Sequence, residues 1–167
     1  MKPTADIHAA WKTGSERSTF NHFGGQHLRV FDVDPYPAAD KRGRKDIDGW
    51  KISWEATIPS EWDNGNGAMH GAAAAWIVDL CTSAAIMAHS TEYFWGPPLP
   101  SGVSLAINMT YFQPAKIGAD IVVEVEVLKC SATTANIKCD ILDRNTRQLL
   151  ASGTHIKAWR AKNRAKL

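Results

Sequence analysis

A single carboxylate stands inside the longest apolar run of the chain. Residues 69–89 read MHGAAAAWIVDLCTSAAIMAH, and from 71 to 86 nearly every side chain is apolar or small. Asp79 interrupts that run; the other breaks are His70 and Gly71 at its front and Cys81, Thr82 and Ser83 behind it. A carboxylate among apolar neighbours is costly unless it is paired or used. A sheltered acid suits a general base on water or a direct nucleophile. Partial burial is expected to lift its pKa toward a working range.

The element that must carry Asp79 is a helix. Residues 72–75 are four alanines, the strongest helix former. Twenty residues of helix span roughly 30 Å, and a helix apolar all round is expected to be enclosed. Its start falls near Gly71, where free backbone N–H groups and the positive end of the dipole converge and no Cβ obstructs them. Asp79 lies nine residues past His70, which sets the two on opposite faces and roughly 13 Å apart along the axis. One chain does not readily bring Gly71 and Asp79 to one reacting group; two antiparallel helices side by side do. A dimer with composite sites is therefore expected. A membrane span is not, because Asp79 sits mid-run and fewer than ~18 uninterrupted apolar residues are present.

The totals describe an ordinary globular chain. At 167 residues one domain with a proper core is expected. Hydrophobic content of 44% and charged content of 22% are typical. A net charge of +2 sets up no strong field, so neither nucleic acid nor a membrane surface is an expected partner. Cys81, Cys130 and Cys139 read as reduced core residues of a reducing compartment. The opening MKPTADIHAAWK has no apolar run, so no secretory signal is expected.

Along the chain, residues 1–45 read as a partly ordered N-terminal extension, with a short helix possible over 5–11 and a short strand over 28–31. Residues 41–45 form a charged loop broken by Gly43. Residues 50–58 alternate: Trp50, Ile52, Trp54, Ala56 and Ile58 face one way, while Lys51, Ser53, Glu55 and Thr57 face the other. The DNGNG loop at 63–67 can cap the helix. WGPPLP at 95–100 forms a rigid, non-helical connection. Four strands follow, over 103–112, 121–128, 136–142 and 149–159, the last two joined by the DRNT turn as a hairpin. Strand, long helix, then four strands predicts an α+β fold with an antiparallel sheet of five to six strands curled around one central helix. The core domain is read as 46–160, followed by a basic tail at 161–167.

That order, with His-Gly opening the helix and an acid nine residues past the His, resembles the hotdog-fold thioesterases. Within them it is similar to the phenylacetyl-CoA thioesterase branch and the small eukaryotic acyl-CoA thioesterases. The resemblance covers about residues 50–159. It rests on Asn64, His70-Gly71 and Asp79 at their spacing, on Gly102-Val103-Ser104, on Asn108-Met109-Thr110-Tyr111 with the QPAKIG that follows at 113–118, and on Ala151-Ser152-Gly153-Thr154-His155. One departure is Ala72, where the family usually has a second glycine; a methyl there bears on substrate range.

The resemblance implies hydrolysis of an acyl-CoA thioester by water, a homodimer and often a dimer of dimers. It assigns the Gly71 N–H to the oxyanion hole, in keeping with the helix-start physics. It makes Asp79 the base or nucleophile, Ser104 the holder of the attacking water, Asn64 a partner of the thioester or the water, and His70 an orienting group. Lys116, Arg144, His155, Lys157 and Arg160 are candidate contacts for the CoA moiety, and of these His155 and Lys157 match the family's last strand best. No CxxC or HxxxH spacing is present, so no metal or other cofactor is expected. The terminal Ala165-Lys166-Leu167 follows the small-basic-leucine pattern of a peroxisomal address, leaving a cytoplasmic or peroxisomal location open. Two alternatives stay open: a thioesterase for carrier-protein-bound acyl chains, and a non-catalytic acyl-binding protein of the same fold.

Overall fold

The computed structural model describes residues 9, 11–13, 21 and 25–160. In order, the elements are β1 (Arg29–Val33), β2 (Lys51–Thr57), a 3-10 turn (Ser60–Trp62), α1 (Gly71–Met87), β3 (Val103–Tyr111), β4 (Asp120–Cys130), β5 (Thr134–Asp143) and β6 (Leu149–Ala158). The six strands form one antiparallel sheet in the order β1-β2-β4-β5-β6-β3. One long helix packs on β3 to β6, giving the α+β hotdog architecture. The sixth strand, β1, comes from inside residues 1–45 and pairs with β2. The short helix at 5–11, positions 9 and 11 apart, and the tail at 161–167 lie outside the described residues. Among the described residues no helix is long and apolar enough to cross a membrane.

Period-two patterning builds the core. Trp50, Ile52, Trp54, Ala56 and Ile58 are all buried, and so are Val123, Val125 and Val127 of β4 and Ile137, Cys139 and Ile141 of β5. Full burial of each such branched side chain contributes roughly 1.5–3 kcal/mol. Against them α1 sets Ala74, Ile77, Val78, Cys81, Thr82, Ala85 and Ile86, the 3–4 spacing of one helical face. At Gly153 of β6 a Cβ would lie 2.9 Å from Val78 Cγ1 and 2.8 Å from Met109 Sδ, so the bare backbone there lets the helix settle onto the sheet.

Three expectations need correcting. The helix is not enclosed all round: Ala72 and Met87 are exposed, and Asp79 and Ser83 are only partly covered. The sheet covers one side, and alanines fill the rest of the helix through propensity rather than burial. The DNGNG loop does not cap α1, because Asp63 Oδ1 accepts from the N–H groups of Gly65 and Gly67 in its own loop, both at 3.0 Å. His70 is the cap instead. Glu55, expected on the solvent face, is buried. Arg29 of β1 and Arg144 of the β5–β6 turn close over it as ion pairs, the latter at 2.8 Å.

Candidate functional site

The expected residues fall into two groups on one helix. The first surrounds its start. His70 has extended backbone (φ −62°, ψ 138°), and its Nδ1 accepts from the Ala72 N–H at 3.0 Å, which places the ring proton on Nε2. Gly71, the first helical residue, has no preceding turn to bond to, so its N–H is an orphan donor at the positive end of the dipole. Tyr111 of β3 donates its hydroxyl to the Gly71 carbonyl at 2.9 Å. Beside them opens a cleft of about 360 Å³ lined by Asn64, Gly71, Tyr111 and Gln113 among others. Asn64 Oδ1 accepts from the Asn66 N–H at 2.8 Å, which turns the loop back on itself. Lys116 is exposed next to this cleft, where its backbone bridges Ala68.

The second group surrounds Asp79, whose side chain is 48% exposed. Ser104 of β3 donates to Asp79 Oδ1 at 3.3 Å. Ser104 pairs across the sheet with Lys157 of β6, and the β3–β6 register slips between Ser104 and Ala106. Such a bulge re-aims the side chains beside it. Lys157 Nζ donates to Ser83 Oγ at 2.8 Å and to Ser104 Oγ at 3.4 Å. Burial lowers the pKa of this ammonium, while Asp79 works against the fall.

His155 Nε2 lies 3.7 Å from Asp79 Oδ1. Its tautomer follows from Thr82. The Thr82 hydroxyl donates to the Val78 carbonyl at 2.6 Å, so at 2.5 Å from His155 Nδ1 its oxygen accepts from an Nδ1–H. Nε2 is then a bare lone pair, buried and without a partner. Burial first, and Lys157 second, pull the His155 pKa down to about 4 against the pull of Asp79, so the ring is neutral at pH 7.

His155 and Lys157 are therefore not surface cations within reach of a CoA phosphate. They are 0% and 2% exposed and lie under Asp79. Arg144 lies apart from both groups, bound to Glu55 and stacked 5.5 Å over the Phe31 ring. A further groove of about 290 Å³, lined by Asp32, Lys51, Glu124 and Asp140 among others, contains none of the expected site residues. Among the described residues no cluster of His, Cys, Asp or Glu could hold a metal ion.

Three contributors carry no assigned role in the sequence: Thr82 and Ser83, read there as breaks in the apolar run, and Tyr111, read as part of a strand motif. A signal for part of the network was present in β6. His155 and Lys157 share the inward phase of Ala151 and Gly153, where polar side chains need a reason to be. The two groups stay apart, because Gly71 and Asp79 are eight residues distant, a rise of about 12 Å.

A fold of this kind with an acid on its helix defines a class, and the comparisons agree. The family model described as the thioesterase superfamily matches residues 66–150, which contain Gly71, Asp79 and Ser104. Acyl-coenzyme A thioesterase 13 of Homo sapiens, like that of Pongo abelii, is 37% identical over 107 residues, covering 64% of this chain and 71% of the relative. The crystal structure of mouse thioesterase superfamily member 2 superposes with a TM-score of 0.71 at 26% identity, covering 95% of this chain and 98% of that one. The zebra fish member 2 structure gives 0.70 at 26% identity, covering 91% and 94%. The chain belongs to the thioesterase superfamily.

Proposed function

We propose that the protein is an acyl-CoA thioesterase, hydrolysing an acyl-CoA to free acid and CoA at a site shared between two subunits. The observation that carries this is the Ser104 hydroxyl at 3.3 Å from a half-exposed Asp79 on the uncovered side of a helix whose first N–H is free. In this reading Asp79 takes a proton from water, and the water oxygen bonds to the thioester carbon. Negative charge moves to the carbonyl oxygen, which the Gly71 N–H of the other subunit receives. The tetrahedral intermediate collapses, the C–S bond breaks, and the Asp79 proton passes to the leaving thiolate. While Asp79 holds that proton, His155 Nε2 is the acceptor that faces it. Attack by Asp79 itself, through a mixed anhydride, uses the same residues.

Asn64 would hold the thioester or the water, His70 would fix the helix start, and Lys116 would meet the CoA moiety. The sheet edge supports the dimer. β3 is an end strand, and it leaves Val103, Leu105 and Tyr111 exposed, Leu105 by 62%. Natural edge strands are normally blunted against pairing by charges, prolines or bulges; beyond its bulge near Ser104 this one carries neither charge nor proline. The test is thiol release from a panel of acyl-CoAs by wild type and Asp79→Asn. The wild type is expected to turn over and the variant to be inert. Binding without turnover by both would establish a non-catalytic acyl-binding protein, and activity on acyl-pantetheine but not acyl-CoA would favour carrier-protein substrates.

A further inference from the structure

We propose that Lys157 is a positioning residue for this reaction, holding Ser104 in the one orientation that serves Asp79. The inference rests on the thioesterase reading and goes beyond it, because Lys157 touches neither water nor substrate in that scheme. A serine hydroxyl has one proton to give. Lys157 Nζ, anchored on Ser83 Oγ at 2.8 Å, points a second N–H at Ser104 Oγ, 3.4 Å away. An ammonium has no lone pair, so Ser104 can only accept from it. The serine proton is thereby directed to Asp79 Oδ1 at 3.3 Å. The chain of donors runs Lys157 to Ser104 to Asp79 and stops at the carboxylate.

The charges in the cluster agree with this direction. The titratable groups facing one another are Asp79 of α1 and His155 and Lys157 of β6, while β3 supplies the non-titrating Ser104. His155 is neutral near pH 7. Lys157 is then the donor of the cluster that reaches the carboxylate through Ser104. Its anchor comes from the helix itself, since Ser83 lies one turn beyond Asp79. The same lysine therefore ties helix, β6 and β3 together at the base.

Lys157→Met removes both donor and charge. The expected result is a kcat lower by about 10- to 100-fold, with KM for acyl-CoA within about twofold of wild type. Lys157→Arg, which keeps donors and charge at this position, should recover part of the lost kcat. Ser83→Ala, which leaves Nζ with Ser104 as its hydrogen-bond partner, should lower kcat by less. A role in stability alone would lower the melting temperature and leave kcat of the folded enzyme in place.

Wild-type kcat in a folded Lys157→Met overturns the proposal. So does a KM raised tenfold at unchanged kcat, which would make Lys157 a substrate contact. If Lys157→Met does not fold, Ser83→Ala decides by the same readings. Loss of activity in Asp79→Asn alongside wild-type behaviour of both other variants overturns this inference alone. Full activity in Asp79→Asn overturns the catalytic reading with it.

Discussion

The two ends of the proposed chemistry are built in opposite ways. At the helix start the working group is a backbone N–H, placed by helix geometry and capped by an exposed histidine. At the helix middle the working group is a side chain, held by β3, β6 and its own helix through a chain of polar contacts. A backbone donor needs only a glycine and a turn. A carboxylate that must be aimed needs partners, here an exposed Ser104 backed by the buried His155 and Lys157. The helix start should therefore tolerate changes to its surroundings, whereas the middle should not.

Substitutions at the two ends sharpen this contrast. The largest expected effect is in Asp79→Asn, where kcat falls by about 10²–10⁴-fold with the melting temperature kept, measured by thiol release. Gly71→Pro comes next. Proline suits the first helical position, and His70 already has the extended backbone that must precede it, so the helix should survive by circular dichroism. The N–H is lost and a ring is added where the glycine left the approach open, and kcat should fall by about 10²–10³-fold.

Mixing the two variants, refolded together, tests whether the ends belong to different subunits. Random pairing places one intact site in half of the dimers. About a quarter of wild-type activity should return where each parent has almost none. No recovery would show that donor and base act within one chain.

A smaller effect concerns stability away from the chemistry. His89 is buried with both ring nitrogens unpartnered, between Trp50 at 4.2 Å and Tyr36 at 5.3 Å. Burial, helped by Lys45, draws its pKa down from 6.5 to about 4, as happens at His155. In both cases the unfolded chain takes up the proton first. Stability is full above pH 6.5 and falls as the pH drops toward 4, by up to roughly 3 kcal/mol for each histidine. His89→Phe should remove its share of that fall in chemical denaturation series. Gly153→Ala should cost about 1–3 kcal/mol at every pH, because its methyl meets Val78 and Met109. It is also expected to disturb activity by lifting the helix that carries Asp79.

The legible and illegible parts of the site divide along similar lines. Alternation over 50–58 and the alanine-rich run identified β2 and α1, because periodicity reports which face is covered. The oddity of an acid in that run singled out Asp79. What periodicity does not report is what lies across the sheet. Lys157 reads as a surface cation until its pairing with Ser104 is known, and Glu55 reads as solvent-facing until two arginines fold over it. The cap was misplaced for a related reason. Asp63 and His70 both have acceptors, and only the loop's own turn shows that Asp63 is already taken.

β3 reaches both groups. Near its beginning Ser104 meets Asp79, and at its end Tyr111 meets the Gly71 carbonyl. It is also one of the two end strands of the sheet, with exposed apolar side chains along its flank. Whatever zips along that flank tightens donor and acid together, so dilution should quench turnover more steeply than it loosens the fold.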